Sequence, residues 1–365
     1  NIFSLHEDSK QRVWVGTYGG GLLLYNRATD QFSAFTEQSH QLSSNRIYAI
    51  TSDTNGNLWL GGNKGLTRFN PDTLKVKHFS YDEHENSISN NTIFSITYDS
   101  FNEVIWAGTR SGLNKLSLNN ETFTHYISDI KKPNSLTHNM VTSLYLKDQN
   151  TLWVGTFNGL NKLNIQTHEI INITEFDGLI NGNIFAIKED RSGYLWLSTN
   201  QGLTRYYEYT HQMQHFLPEN GIQHNSFILG AAFGASDGEL FFGGINGYNQ
   251  FNPQTLSLLE PPPEPFITDL LINNQPALTE PYINNKKAKL INFTNELFFK
   301  EENDVVGFKF TALKSSATPS QYQFAYQLKG LDSQFLYASK NQRQVSYPQL
   351  PAGNYKLIMK VKGQY

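Results

Sequence analysis

The chain of 365 residues carries 29 Lys and Arg against 32 Asp and Glu, a formal net charge of -3, and no cysteine. The near-balance of interspersed charge excludes the basic face of a nucleic-acid binder. The missing thiols exclude disulfides and thiolate metal sites, and no run of 18 apolar residues offers a membrane-spanning helix.

From its first residues the chain repeats itself. Trp14, Trp59, Trp106, Trp153, Trp196 and Phe241 follow one another at intervals of 45, 47, 47, 43 and 45 residues. Around them recurs one phrase: VWVGTYGGGL, LWLGGNKGL, IWAGTRSGL, LWVGTFNGL, LWLSTNQGL and LFFGGINGY. A period in the mid-forties, made of short strands and glycine turns, predicts the blades of a β-propeller. Each repeat opens on an apolar strand with a small residue inside: IFSL, IYAI, IFSI, VTSL, IFAI. Such a strand suits the innermost position, buried on both faces where blades crowd at the axis. Tight-turn dipeptides such as Asn55-Gly56 and Ser192-Gly193 lead to the second strand, which bears the Trp. A third strand follows Gly (GLTRFN, GLNKLS, GLNKLN, GLTRYY), and a fourth closes the repeat (FSAFT, VKHFS, FTHYI, IINIT, MQHFL). The indole is expected as a wedge between neighbouring blades, and the Asp before each turn as a turn former. The opening NIFSL already lies inside a repeat, so the chain reads as an excerpt of a longer protein. Its six four-stranded repeats either close by themselves or form part of a larger ring.

After Leu259 the composition changes. EPPPEPF (260–266) predicts a stiff extended linker. Seven short strands are expected beyond it: FITDLLI, ELFFK, VVGFKFTAL, YQFAYQL, FLYAS, QVSYPQL and YKLIMKV. Their number and spacing predict a small immunoglobulin-like β-sandwich. The reading is all-β, with a propeller over 1–260 and a sandwich over 261–365.

The stretch NRIYAITSDTNGNLWLGGNKGL (45–66), and residues 183–203 nearly as closely, resembles the two-component-regulator propeller repeat. The sixth repeat departs from it, with Phe241 for Trp and with Gly244 and Tyr248 for Thr and Leu; terminal repeats are often atypical. AYQLKGLDSQF (325–335) and VSYPQLPAGNYKLIMKVKG (345–363) resemble the triple-tyrosine sandwich that follows such propellers in bacterial sensors, with Tyr326, Tyr347 and Tyr355 at the tyrosine positions. Phe335 stands where relatives often have Trp. The resemblance implies an extracytoplasmic sensing region, the periplasmic portion of an inner-membrane receptor. That receptor would be a homodimer, with membrane contact only through segments outside this chain. Its output would be a histidine kinase or a GGDEF diguanylate cyclase.

Catalytic chemistry is not evident. The phrases SDTNGNLW and EDRSGYLW place Asp three positions before Gly, unlike the sialidase Asp box. Asp82, Glu83 and Glu85 read as a solvated loop rather than the carboxylate pair of a glycosidase. His78, His125 and His215 recur at one place in the fourth strand, expected at a half-exposed edge without a second metal ligand. Gly19-Gly20-Gly21 precedes no helix and is no phosphate loop. We expect no catalytic residue, no metal and no cofactor.

The loops entering each blade and the tips between second and third strands share one face of a propeller, and here both are polar and variable. Tyr18, Lys64, Arg110, Phe157, Asn158, Asn200 and Gln201 at those tips are the expected ligand-binding residues. Amides and aromatic faces suit a small polar ligand or an oligosaccharide. The recurring Asn45, Asn91, Asn139, Asn183 and Asn225 read as turn formers. Two other readings stand beside ligand sensing: a protein-binding scaffold, and a glycan-active enzyme.

Overall fold

The computed structural model describes residues 1–132, 134–256, 264–277, 291, 296–299, 305–312, 322–339 and 342–363. The chain divides into two compact units, Asn1–Leu256 and Ser257–Tyr365. Residues 260–263 of the expected linker lie outside the described residues, and Pro265 and Phe266 already open a strand, Pro265–Ile272.

The first unit is built of six antiparallel sheets in sequence order. Blades 1 to 5 have four strands each, and blade 6 has three among the described residues. The first strands of the blades are Ile2–Glu7, Ile47–Ser52, Ile93–Asp99, Val141–Asp148, Ala186–Glu189 and Phe227–Gly234. Each meets the next, and the last meets the first, so these strands surround the axis. Crowding there explains their small residues. Ser143 lies opposite Gly155. A methyl group on Gly155 would run into the Ser143 hydroxyl and come within 2.8 Å of Ile184. Blade 5 reverses the pair, with Ala186 opposite Ser198.

The five tryptophans are the wedges. Each is at most 1% exposed. Trp14 packs on Leu58, Leu60 and Phe69 of blade 2, and Trp59 on Ile105, Ala107 and Leu116 of blade 3. Trp106 meets Leu152, Val154 and Leu163 of blade 4. Trp153 meets Leu195, Leu197 and Tyr206 of blade 5, and Trp196 meets Leu240 and Phe242 of blade 6. Phe241, the sixth aromatic in the series, does not wedge between blades. It stays half-buried, against Phe233 at 6.2 Å and Tyr248 at 6.3 Å. The reason is geometric: its side of blade 6 faces the seam with blade 1. Along that seam Ile2 (67%), Leu5 (68%) and Phe233 (62%) are exposed.

The aspartates do more than form turns. Asp53 Oδ1 accepts the backbone N–H groups of Asn55 and Asn57, while Oδ2 accepts the indole N–H of Trp59 at 2.8 Å. Asp8 and Asp190 hold Trp14 and Trp196 in the same way, at 2.9 and 2.8 Å.

The described residues of the second unit form two sheets. One is ordered Gln275–Pro276, Pro265–Ile272, Val306–Ala312, Gln344–Tyr347; the other is Leu336–Tyr337, Tyr322–Lys329, Lys356–Gly363. They share one core, in which Phe310 of the first sheet meets Phe324 of the second at 4.9 Å. The expected strand ELFFK is corrected. Glu296–Phe299 is irregular, with Leu297 packed on the core and Phe298 and Phe299 exposed. Its alternation reflects one anchoring side chain, not a ladder. Of the three tyrosines, Tyr347 is buried and Tyr326 is packed against the core. Tyr355 donates its hydroxyl to the Pro351 carbonyl at 3.0 Å. The Tyr347 hydroxyl has no backbone partner among the described residues.

Candidate ligand-binding face

The tips between second and third strands are locked before any ligand arrives. Thr17, Thr109, Thr156 and Thr199 are buried, and each donates its hydroxyl across the tip to a glycine carbonyl, at 2.8 to 3.0 Å. At Gly112 the backbone takes φ 121°, and a Cβ would meet the Tyr126 carbonyl at 2.6 Å, so only glycine fits. Three of the recurring asparagines brace the loop entering their blade. The side-chain oxygens of Asn45, Asn91 and Asn139 accept the N–H groups of Glu37, Tyr81 and Ser128. Their backbone carbonyls accept from Gly21, Gly65 and Gly112 at the tips. Loop and tip are thereby tied into one rigid rim.

The fourth-strand histidines are structural as well. His125 donates to the Ser87 carbonyl, and His215 bridges Thr204 and the Gly178 carbonyl. His215 is buried rather than half-exposed, a correction that follows from its closing the gap between its own blade and the preceding loop. In the acidic loop, Asp82 accepts the N–H of His84 and so turns the chain.

A recurrent β-bulge shapes the inner end of this face. The pairing register slips at Ile2/Ser4, Ile47/Ala49 and Val141/Ser143, and at the matching place opposite Gly108/Thr109. Phe3, Tyr48, Phe94 and Thr142 are the extra residues, and a bulge re-aims its side chain out of the ladder. Phe3 and Tyr48 so meet at 5.3 Å, and Tyr18 from the first tip joins them, 5.6 Å from Phe3 and 6.4 Å from Tyr48.

Beside this aromatic group lies a recess of about 380 Å³, lined by Tyr18, Gly19, Glu37, Ser44, Asn45, Arg46, Asn63 and Lys64. A backbone bridge joins Tyr18 to Arg46, and the Arg46 guanidinium lies 4.6 Å above the Tyr18 ring. Lys64 pairs with Glu37 at 2.7 Å. The Lys64 ammonium, then the Asn45 N–H, hold the Glu37 carboxyl below its ordinary range, so it stays ionised. Ser44 donates to the Asn63 side chain at 2.6 Å.

Of the expected binding residues, only Tyr18 and Lys64 share this recess. Arg110 is exposed on the third tip and makes no side-chain hydrogen bond or ion pair among the described residues. Phe157 is half-buried, 6.3 Å from both His138 and Phe185, and belongs to a packed cluster. Asn158 is exposed, its N–H held by Thr156. Asn200 accepts from Ser226, and Gln201 is exposed with its N–H on Thr199. Sequence reasoning missed Arg46, Tyr48 and Phe3. A signal for Arg46 existed: the residue after the recurring Asn is Arg46, Thr92, Met140, Ile184 and Ser226 in turn, cationic only once.

Residues 1–19, 41–64, 135–158 and 178–201 match the Two component regulator propeller family, and residues 315–365 match the Y_Y_Y domain. The chain carries two-component-regulator propeller repeats and a Y_Y_Y domain. It is 30% identical over 372 residues to Histidine kinase P4 of Formosa agariphila, covering 99% of this chain and 23% of that protein. The fold matches the extracellular domain of BT3049 of B. thetaiotaomicron, described as a hybrid two component system, with a TM-score of 0.73 at 23% identity; 100% of this chain and 48% of that one are covered. The extracellular domain of BT4673 from the same organism matches with a TM-score of 0.57 at 23% identity, over 99% of this chain and 48% of that one. The propeller and Y_Y_Y segments therefore span about half the length of these solved chains, and a smaller share of the curated relative. No described helix is long and apolar enough to cross a membrane.

Proposed function

We propose that the chain is the ligand-sensing region of a bacterial transmembrane signalling receptor, held on the periplasmic side of an inner membrane. The carrying observation is one continuous alignment of propeller repeats plus Y_Y_Y domain with a histidine kinase and with extracellular domains of two-component receptors. That similarity favours a histidine kinase over a diguanylate cyclase as the output. The ligand is a polar molecule of the oligosaccharide class. It docks on the loop-and-tip face, where the rim is already rigid and a recess stands beside exposed aromatics. Binding shifts the arrangement of paired Y_Y_Y domains in a homodimer and so biases a two-state output. In this reading the chain binds without turnover and needs no cofactor. Calorimetry of the chain against an oligosaccharide panel tests it. At least one member should bind without being consumed; absence of binding across the panel removes the ligand-sensing reading, and product formation replaces it with an enzyme.

A second reading, a protein-binding scaffold, is favoured by the apolar seam at Ile2, Leu5 and Phe233. Crosslinking in cell extract separates it from the first, since a scaffold captures a partner without any added saccharide.

A further inference from the structure

We propose that the recess between the first two blades takes an anionic saccharide, one whose ring carries a carboxylate or a sulfate group, with Arg46 as the residue that reads the charge. The inference rests on the ligand-sensing reading and narrows it to one site and one ligand class.

Two cations and one acid line the recess: Arg46 and Lys64 against Glu37. Glu37 is already committed, accepting the Lys64 ammonium and the Asn45 N–H. It fixes the direction of Lys64, whose ammonium carries three donors and keeps two for a ligand. Arg46 is committed to no anion. Its guanidinium carbon lies 4.6 Å from the centroid of the Tyr18 ring, and among the described residues the guanidinium makes no hydrogen bond or ion pair. A guanidinium fork without an anionic partner is matched by a planar carboxylate or by two oxygens of a sulfate, bound bidentately.

The surroundings supply the rest of a saccharide site. Tyr18 is 45% exposed and Phe3 42% exposed, stacked on each other beside Tyr48. Exposed aromatic rings of this kind cover the C–H face of a sugar ring, while the Asn63 side-chain amide, its oxygen taken by Ser44, offers its N–H donors to hydroxyls. The volume of about 380 Å³ falls at the small end of ligand sites (~300–1,000 Å³). Repetition does not explain the charge, because Arg46 is the single cation among the residues that follow the recurring asparagines. The backbone bridge to Tyr18 also holds Arg46 in place without a ligand, so the site is preorganised.

The test is calorimetry on the whole chain. The probes are uronate oligosaccharides paired with their methyl esters, sulfated oligosaccharides paired with their desulfated forms, and sodium sulfate alone. An anionic member should bind about tenfold or more tighter than its neutral counterpart, and the binding should weaken as salt is raised. Arg46→Ala should weaken it about tenfold or more with an unchanged unfolding midpoint, since the side chain is exposed. Arg46→Lys should restore only part of the loss. Equal binding of the neutral counterparts, indifference to Arg46→Ala, or sodium sulfate binding as tightly as any saccharide would overturn the inference. If neutral members bind, ligand sensing survives and only the charge requirement falls; if nothing in the panel binds, both fall together.

Discussion

An indole N–H buried between two sheets needs an acceptor, and this chain places an aspartate six residues upstream to provide it. The spacing is strict. Six residues give 2.9, 2.8 and 2.8 Å at Trp14, Trp59 and Trp196. A spacing of seven stretches the bond of Trp106 to Asp99 to 3.4 Å. In blade 4, Asp148 stands only five residues before Trp153, and the Trp153 N–H has no partner among the described residues. Blade 6 drops both members, with Ala235 six residues before Phe241. Asp53→Ala should therefore cost about 1–3 kcal/mol in urea unfolding, because it orphans the Trp59 N–H along with two turn N–H groups. Acid should act on the Asp8–Trp14 pair. Burial pushes the Asp8 carboxyl up, but hydrogen bonds from Trp14, Arg12 and Lys10 outweigh it and the net shift is downward. A carboxyl depressed in the folded state binds its proton more readily when unfolded. The stabilisation is thus full above about pH 4 and is lost as pH falls through the folded value. Urea midpoints between pH 6 and pH 2 should decline in the wild type and decline less in Asp8→Asn.

At the scale of the element, the same blade motif has different consequences according to its neighbour. Trp106 is fully buried against blade 4, and its replacement by Ala should cost about 3–5 kcal/mol. Phe241 occupies the matching position but faces the seam, and Phe241→Ala should cost about 1 kcal/mol or less. Chemical denaturation of the two variants side by side checks the contrast. The strands themselves were legible, since alternation, turn dipeptides and the repeat all favoured one local structure. ELFFK was misread because short apolar alternation states a preference for a pleated surface without naming a pairing partner. The candidate site was half legible. Tyr18 and Lys64 stand out as variable residues at predicted tips. Arg46, Phe3 and Tyr48 lie in or beside strands that read as core, and they join the site only because a bulge turns two of them outward.

For the propeller unit as a whole, the question is how the ring meets itself. Five junctions carry a buried tryptophan, and the sixth carries exposed Ile2, Leu5 and Phe233. A seam of that character should bind an apolar fluorescent dye, and Leu5→Ser with Phe233→Ser should reduce the signal without lowering the unfolding midpoint. By itself the sequence determined the blade repeat, the all-β class and the wedge role of five indoles. These follow from local periodicity, which every repeat states again. Only the tertiary structure decided that Phe241 lacks a blade to wedge against. Only it showed that Asp–Trp spacing sets which indoles are satisfied, and that Arg46 lies over Tyr18 beside Lys64. Those facts depend on residues brought together across blades, and no period along the chain encodes the distance between them.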